Sequence, residues 1–493
     1  MPNSFAYLML IIWPLVCLIL FRRLTVERAI IWSILGGYLL LPVRAVFDLP
    51  LVPNFDKTTI PNLSALAFCL LIARKRLSLW PESRVMRLVM VIFVLGTIPT
   101  VLTNSDPIRF SPILDSAPIS FDAGQLPGLR WLDILSVMSG RMIVLIPFVL
   151  GRAFLASRSG QRELLLALVV GGLAYSLPAL VEIRLSPQLN IWIYGFFQHD
   201  FSQMMRDGGF RPLVFLVHAL WLAFFMMTAS VAAAALAREA HGTARGRYLA
   251  AVLYLLVVLV LSKSLAPLLY ALSLVPLVLL AGPRLQIRLA LALALLATLY
   301  PLLRENGLVP LDAILDWAAA IGPDRAHSLA YRFGNEEQLL ARAQEKILFG
   351  WGGWARNLVH DPQSGAITTI PDGEWIIVFG TFGMLGYITL MGLLAGPLVM
   401  VWRRARRVVP SRTSAALALI LAITLIDMLI NAILTPYTWL IAGALIGACE
   451  DRAGLPAEPR RGRLRASSRA STRATRRESP ARRRASASGI VSV

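Results

Sequence analysis

Thirteen apolar stretches run through this chain, and Lys and Arg crowd every second connector between them. A stretch of ~20 apolar residues can cross a bilayer as a helix, because each backbone polar group is then satisfied within its own segment. The stretches fall at about 5–21, 29–43, 60–73, 85–102, 132–150, 163–181, 211–236, 248–261, 265–281, 286–303, 374–401, 413–430 and 434–449. They predict an all-α fold, a polytopic membrane helical bundle of about 12–13 spans, in which two or three of the shorter segments are re-entrant or tilted. A composition of 57% hydrophobic and 15% charged residues agrees, being too apolar for an ordinary globular class.

The basic residues then predict orientation. Arg22, Arg23 and Arg28 follow the first stretch, Arg74, Lys75, Arg76, Arg84 and Arg87 the third, and Arg152, Arg158 and Arg162 the fifth. Arg238, Arg245 and Arg247 follow the seventh, Arg284 and Arg288 the ninth, and Arg403, Arg404, Arg406 and Arg407 the eleventh. An Arg-rich tail follows the last. Short basic connectors remain cytoplasmic, so the N-terminus is expected outside, in the periplasm, and the C-terminus inside. No basic segment precedes the first stretch and no small-x-small site follows it, so it reads as a membrane helix rather than a cleaved signal peptide.

Residues 460–493 hold 11 Arg against Glu478 alone and contribute half of the +20 net charge. Without apolar periodicity, the tail from 451 to 493 is expected to be disordered. It suits contact with anionic headgroups of the lipid bilayer, an acidic partner being the alternative; no reading head for nucleic acid accompanies the charge. Cys17, Cys69 and Cys449 all lie in apolar stretches without metal or disulfide spacing and read as packing residues.

The remaining connectors leave two substantial outer loops, 182–210 and 304–373, and a smaller one at 103–131. The chain thus divides into N-terminal membrane helices with the first outer loop (1–130), central helices with loop 182–210 (131–303), a large periplasmic loop (304–373), C-terminal helices (374–450) and the tail. A loop as long as 304–373 is either functional or disordered, and this one carries ordering signals. Leu311–Ala320 has helical spacing. Asn335-Glu-Glu-Gln338 resembles a helix start, with Asn335 as cap. Arg342 and Lys346 would then form a like-charged pair on one face, answered in part by Glu345.

Beyond that helix, Phe349-Gly-Trp-Gly-Gly-Trp-Ala-Arg356 combines permissive backbone with two indoles suited to sugar rings or to the bilayer interface. Pro371-Asp-Gly-Glu-Trp375 leads into the eleventh stretch, where Gly380, Gly383 and Gly386 permit close helix packing. Asp372 and Glu374 therefore stand where loop becomes membrane helix. Within the spans, Asp427 and Asn431 lie one helical turn apart and Glu182 closes the sixth, placements that are costly unless they serve a purpose.

Leu348-Phe-Gly-Trp-Gly352, followed by a polar residue, Asp372, with Gly383 and Gly386 eleven and fourteen positions on, resembles the signature of bacterial O-antigen ligases and O-antigen or exopolysaccharide polymerases. Tyr194-Gly-Phe-Phe197, Arg206-Asp-Gly-Gly-Phe-Arg-Pro212 and His218 are similar to the Arg/Gly/Phe motif those proteins carry before a membrane helix. Ser262-Lys263-Ser264 stands where the family usually has Ser-Arg. The resemblance covers about 130–450.

It implies a membrane glycosyltransferase of GT-C type that moves a glycan from undecaprenyl diphosphate to an acceptor hydroxyl, using neither metal nor other cofactor. Its implied partners are the lipid-linked glycan, the bilayer and a chain-length regulator or other polysaccharide assembly protein. A diphosphate leaving group gathers negative charge, which fixed cations stabilise most in the transition state. Candidates are Lys263, Arg206 and Arg211, with Arg342 and Arg356; Arg332 is placed with the catalytic groups. The attacking hydroxyl needs a proton acceptor, for which Asp372 stands where the family has His, with Glu374 or His360 as substitutes. Trp351, Trp354 and His360 are candidates for glycan contact.

Each candidate also has a plainer reading. Lys263 is placed to snorkel; Arg206 and Arg211 could pair with Asp200 and Asp207; Arg332 and Arg342 could pair with Glu336, Glu337 or Glu345. Trp351 and Trp354 suit an interfacial anchor, His199 and His360 suit a solvated loop, and Asp372 suits a helix cap. Polymerase is expected ahead of ligase because Asp372 departs from the family His. A transporter or a non-catalytic assembly subunit is the alternative from another class, although no inverted repeat supports transport.

Overall fold

The computed structural model describes residues 1–49, 52–73, 77–110, 124–206 and 208–450. The tail 451–493, Asp207, the basic residues Arg74, Lys75 and Arg76, and part of the first outer loop lie outside them. The described residues form helices joined by irregular connectors, with only two two-stranded antiparallel pairs, Ile108–Arg109 with Gln125–Leu126 and Met205–Arg206 with Gly209–Phe210.

Helices form within every apolar stretch. In chain order they are α1 (Ser4–Arg23), α2 (Val26–Leu40), α3 (Thr59–Leu71), α4 (Arg84–Leu95), α5 (Thr97–Leu102), α6 (Asp133–Phe154), α7 (Arg158–Leu185), α8 (Leu189–Tyr194) and α9 (Ala219–Glu239). There follow α10 (Gly242–Leu261), α11 (Leu265–Leu280), α12 (Pro283–Glu305), α13 (Leu311–Ile321), α14 (Pro323–Gln344), α15 (Glu374–Ala405), α16 (Arg412–Asp427) and α17 (Pro436–Glu450). Among the described residues, eight segments are long and apolar enough to cross a membrane, α4 and α5 counting as one; α3 and α11 are shorter apolar helices.

Burial distinguishes a membrane bundle from a globular one. Along α1, Ala6, Leu10, Trp13 and Cys17 pack inward while Leu8, Ile11, Leu15 and Ile19 are exposed, so both faces are apolar. That pattern makes sense only where the outer face meets hydrocarbon. At the centre, α9 is buried almost throughout from Leu222 to Ala237 and packs against α7, α10, α11 and α16. Its Ala232–Ala235 run lets neighbours approach closely. A similar contact joins α6 to α17, where a Cβ on Gly443 would lie 2.0 Å from the Phe148 carbonyl oxygen.

Connector parity is visible in the contacts. At one end Arg152 pairs with Glu450 at 2.7 Å and reaches Ser78, while Arg158 pairs with Glu239 at 3.0 Å. At the other end the N-terminal Asn3 meets Tyr194, Lys57 meets Phe215, Thr100 meets Phe349 and Arg332 meets Ile430. The connectors without basic clusters therefore gather together, away from the Arg-rich ones.

Three expectations need correction. The seventh stretch is not helical from 211: residues 211–218 are irregular, and α9 starts only at Ala219. The twelfth forms regular helix only to Asp427 and runs on as turns, in which Asn431 N still donates to Asp427 O at 2.9 Å and Asn431 Nδ2 to Asp427 Oδ1 at 3.0 Å, keeping the two one turn apart. Asn335 caps nothing; α14 already begins at Pro323, a residue preorganised for the first helical turn. Asn335 sits mid-helix, where Nδ2 donates to Tyr331 O and Oδ1 accepts from Ile370 N at 2.8 Å each.

Candidate functional site

Where the non-basic connectors converge, a cavity of about 1000 Å³ opens. Its polar lining includes Arg206, Arg211, His218, Arg332, Asp372 and Asn431, drawn from three separate connectors of the chain. Apolar lining comes from Leu265 and Leu269 of α11 and from Ile314, Trp317 and Ile321 of α13. The site is therefore amphiphilic, with cations and hydrocarbon in one cavity.

Each cation is held by backbone or by another connector. Arg211, 2% exposed, donates to Gln203 O at 3.3 Å and to Ser264 Oγ at 3.0 Å. Lys263 occupies the left-handed region in the turn between α10 and α11, and its Nζ donates to Arg206 O at 2.8 Å. It buttresses the strand that carries Arg206 rather than lining the cavity itself. Arg332 projects from α14 and donates through Nη1 to Ile430 O at 2.9 Å and Asn431 Oδ1 at 2.8 Å. Its Nε lies 3.8 Å from Asp372 Oδ2.

Electrostatics follow from this crowding. Burial raises the Asp372 carboxyl above the ordinary carboxylate range, and the Arg332 charge partly opposes that rise. His218 is pushed down to about 2, first by burial and then by the charges of Arg211, His199, Arg332 and Arg206. The imidazole is therefore neutral. Its Nδ1 accepts from Leu220 N at 3.0 Å as the cap of α9, which leaves the proton on Nε2.

The other candidates form a separate cluster. Arg342 and Lys346 both lie over the Trp351 ring, Cζ at 3.4 Å and Nζ at 4.5 Å from its centroid, and Trp351 Nε1 donates to Arg342 O. The like-charged pair is thus answered by an indole and by the Glu345 carboxylate, 2.6 Å from Arg342. Arg356, 2% exposed, donates to Pro127 O and Asp106 O. Burial lowers Arg342, Lys346 and Arg356 from their ordinary values. None of Arg342, Arg356, Trp351, Trp354 or His360 lines the large cavity, so the candidates for diphosphate and glycan contact divide between two places. His360 places its two ring nitrogens 2.9 and 3.1 Å from the carbonyls of Ala355 and Gly365, committing it to a turn. Trp354 is 58% exposed beside a small apolar cavity. Glu374 opens α15, feels the charge of Arg141 and lies outside the large cavity.

The Gly-Trp-Gly segment acquires a physical meaning here. Within α15 the chain breaks at Gly383, φ +67°, where a Cβ would sit 2.4 Å from the Leu348 carbonyl. The break lets loop backbone pair with helix backbone: Met384 N to Ile347 O at 2.7 Å, Trp351 N to Gly380 O at 2.8 Å, Gly352 N to Thr381 O at 2.9 Å. Gly380 and Gly383 thus serve loop-to-helix contact and not the helix packing expected of them, while a Cβ on Gly386 would meet Phe382 of the same helix.

Pairings differ as well. Glu336 accepts from Arg304, at 3.2 Å, Tyr300 and Trp375, and burial raises its carboxyl; Arg332 turns instead to Asp372. Sequence reasoning passed over Arg325 and Trp317, which also line the cavity. Arg325 and Arg332 are seven apart, hence on one face of α14, a periodicity the misplaced helix start at Asn335 concealed. Among the described residues no three His, Cys, Asp or Glu stand together as metal ligands. In comparisons with known proteins, no family model and no curated sequence matches the chain.

Proposed function

We propose that this cavity transfers a glycan from a polyprenyl diphosphate-linked donor to a sugar hydroxyl at the periplasmic face of the inner membrane. The observation that carries this reading is the juxtaposition of Arg206, Arg211 and Arg332 with the Asp372 carboxylate and apolar side chains in one cavity. An anionic headgroup on a lipid tail is the ligand chemistry that matches both at once.

In the reaction, the acceptor oxygen bonds to the anomeric carbon as the bond from that carbon to the diphosphate oxygen breaks, its electron pair leaving with the diphosphate. Arg206, Arg211 and Arg332 stabilise the charge that develops there, acting from fixed positions that need no reorganisation. Asp372, with its raised carboxyl, takes the hydroxyl proton. Lys263 acts through the Arg206 strand.

Polymerisation of repeat units for exopolysaccharide, capsule or O-antigen is favoured over ligation to a lipid A core, since an Asp stands where ligase-like sequences carry His. Purified protein in nanodiscs, given lipid-linked glycan with either a second lipid-linked glycan or lipid A core as acceptor, tests both points. Longer chains formed by the native protein and lost in K263A, R332A and D372A support the reading; full activity in all three variants removes the assignment.

A further inference from the structure

Arg211 and His218 reach the cavity on a segment with no regular structure, so something must hold that segment. Its anchor is Glu182, 1% exposed near the end of α7. Oε2 accepts from Leu213 N at 2.9 Å and Val214 N at 2.7 Å, while Oε1 accepts from Leu189 N at 3.2 Å. One carboxylate thus satisfies three backbone amides from two separate parts of the connector, the start of α8 and the irregular segment at 213–214.

Val214 is strained. Its φ of +55° puts a β-branched residue in the left-handed region, which such side chains rarely enter unless their surroundings impose it. The surroundings here do so group by group. Val214 O accepts from Gln198 Nε2 at 2.6 Å, Phe215 N donates to Tyr175 Oη at 2.9 Å, and Phe215 O accepts from Lys57 Nζ at 3.1 Å. Arg211 precedes this clamp by two residues and His218 follows it by four.

We infer that Glu182 is a positioning residue, its carboxylate fixing the strained turn at Val214 and thereby setting Arg211 against the anion of the substrate; this rests on the functional reading above. A carboxylate suits the task because it only accepts. Glutamine at this position has one accepting oxygen and turns an NH₂ donor toward amides that also donate, so part of the clamp opens. If the carboxylate's role is to impose the turn, removing the strain should remove the need for it. Glycine at 214 adopts positive φ freely.

The test uses the full chain in nanodiscs, with hydrogen exchange over residues 211–216 and binding of undecaprenyl diphosphate as readouts. E182Q is expected to speed exchange in that segment and to weaken diphosphate binding, each by about tenfold or more. The double variant E182Q/V214G is expected to regain binding to within about threefold of the native protein. A general packing role for Glu182 would not be rescued by a second, smaller side chain. Native-like exchange in E182Q overturns the clamp, and failure of V214G to rescue binding overturns the positioning role. Failure of the native protein to bind undecaprenyl diphosphate overturns the functional reading and the anion half of this inference together.

Discussion

Two regions of this molecule use the same residue types to opposite ends. Around the large cavity, Arg206, Arg211 and Arg332 border open space with Asp372 at 3.8 Å from Arg332. In the cluster around Trp351, Arg342, Lys346 and Arg356 are equally buried cations, but their hydrogens end on protein: carbonyls of Asp106, Pro127 and Thr103, the Asn104 side chain, the Glu345 carboxylate and an indole face. The first region's cations border a ligand-sized volume. The second region's lie away from it and staple a loop. An arginine's role is thus read from what surrounds it, and no count of arginines supplies that.

The largest effect that would break this contrast is kinetic. Arg332→Ala is expected to lower kcat about 10²–10³-fold while the melting temperature changes little, as for removal of one charge-stabilising donor; a large loss of melting temperature with kcat per folded molecule intact would move Arg332 into the stapling class. Next in size, Arg356→Ala should cost about 1–3 kcal/mol of stability by removing the buried guanidinium that holds the Pro127 and Asp106 carbonyls. Its thermal unfolding should fall while transfer per folded molecule persists, and a specific loss of turnover would give Arg356 a place in the chemistry.

The smallest effect is a displacement rather than a loss. Asp372 must be ionised to accept a proton, so the rate should fall as pH drops through its pKa, and burial sets that fall above the ordinary carboxylate range. Arg332 holds the value down, so the acid limb of the residual rate in R332Q should lie at higher pH than in the native protein, read from pH–rate profiles. An unmoved limb would separate Asp372 from Arg332.

Much of the bundle was legible because hydrocarbon imposes a length and a composition on every helix that crosses it. All thirteen apolar stretches contain helix, and the Arg-bearing connectors do collect at one end. Legibility stopped where local and distant demands disagree. Residues 211–218 look like helix by their run of Leu, Val and Phe, yet Glu182 and Gln198 draw them into an irregular strand. Asn335-Glu-Glu-Gln338 mimics a cap, yet Pro323 after the extended Gly322 starts the helix a dozen residues sooner. Asp372, Arg206, Arg211 and Arg332 were named from type and position, but only folding separates them from Arg342, Arg356 and Trp351, since residues 342–356 and 332 are close in sequence and differ in what lies opposite.

The break in α15 has a consequence for engineering. Because Ile347 and Leu348 are bonded to Met384 and Leu385, the intervening chain is a ring closed at its neck by amide pairs, anchored in the helix that follows it. It is a cassette with natural borders. A graft that exchanges 347–385 as a unit carries its own closure, whereas a chimera cut at the outward edge of the membrane severs the neck and hands the recipient an open lariat.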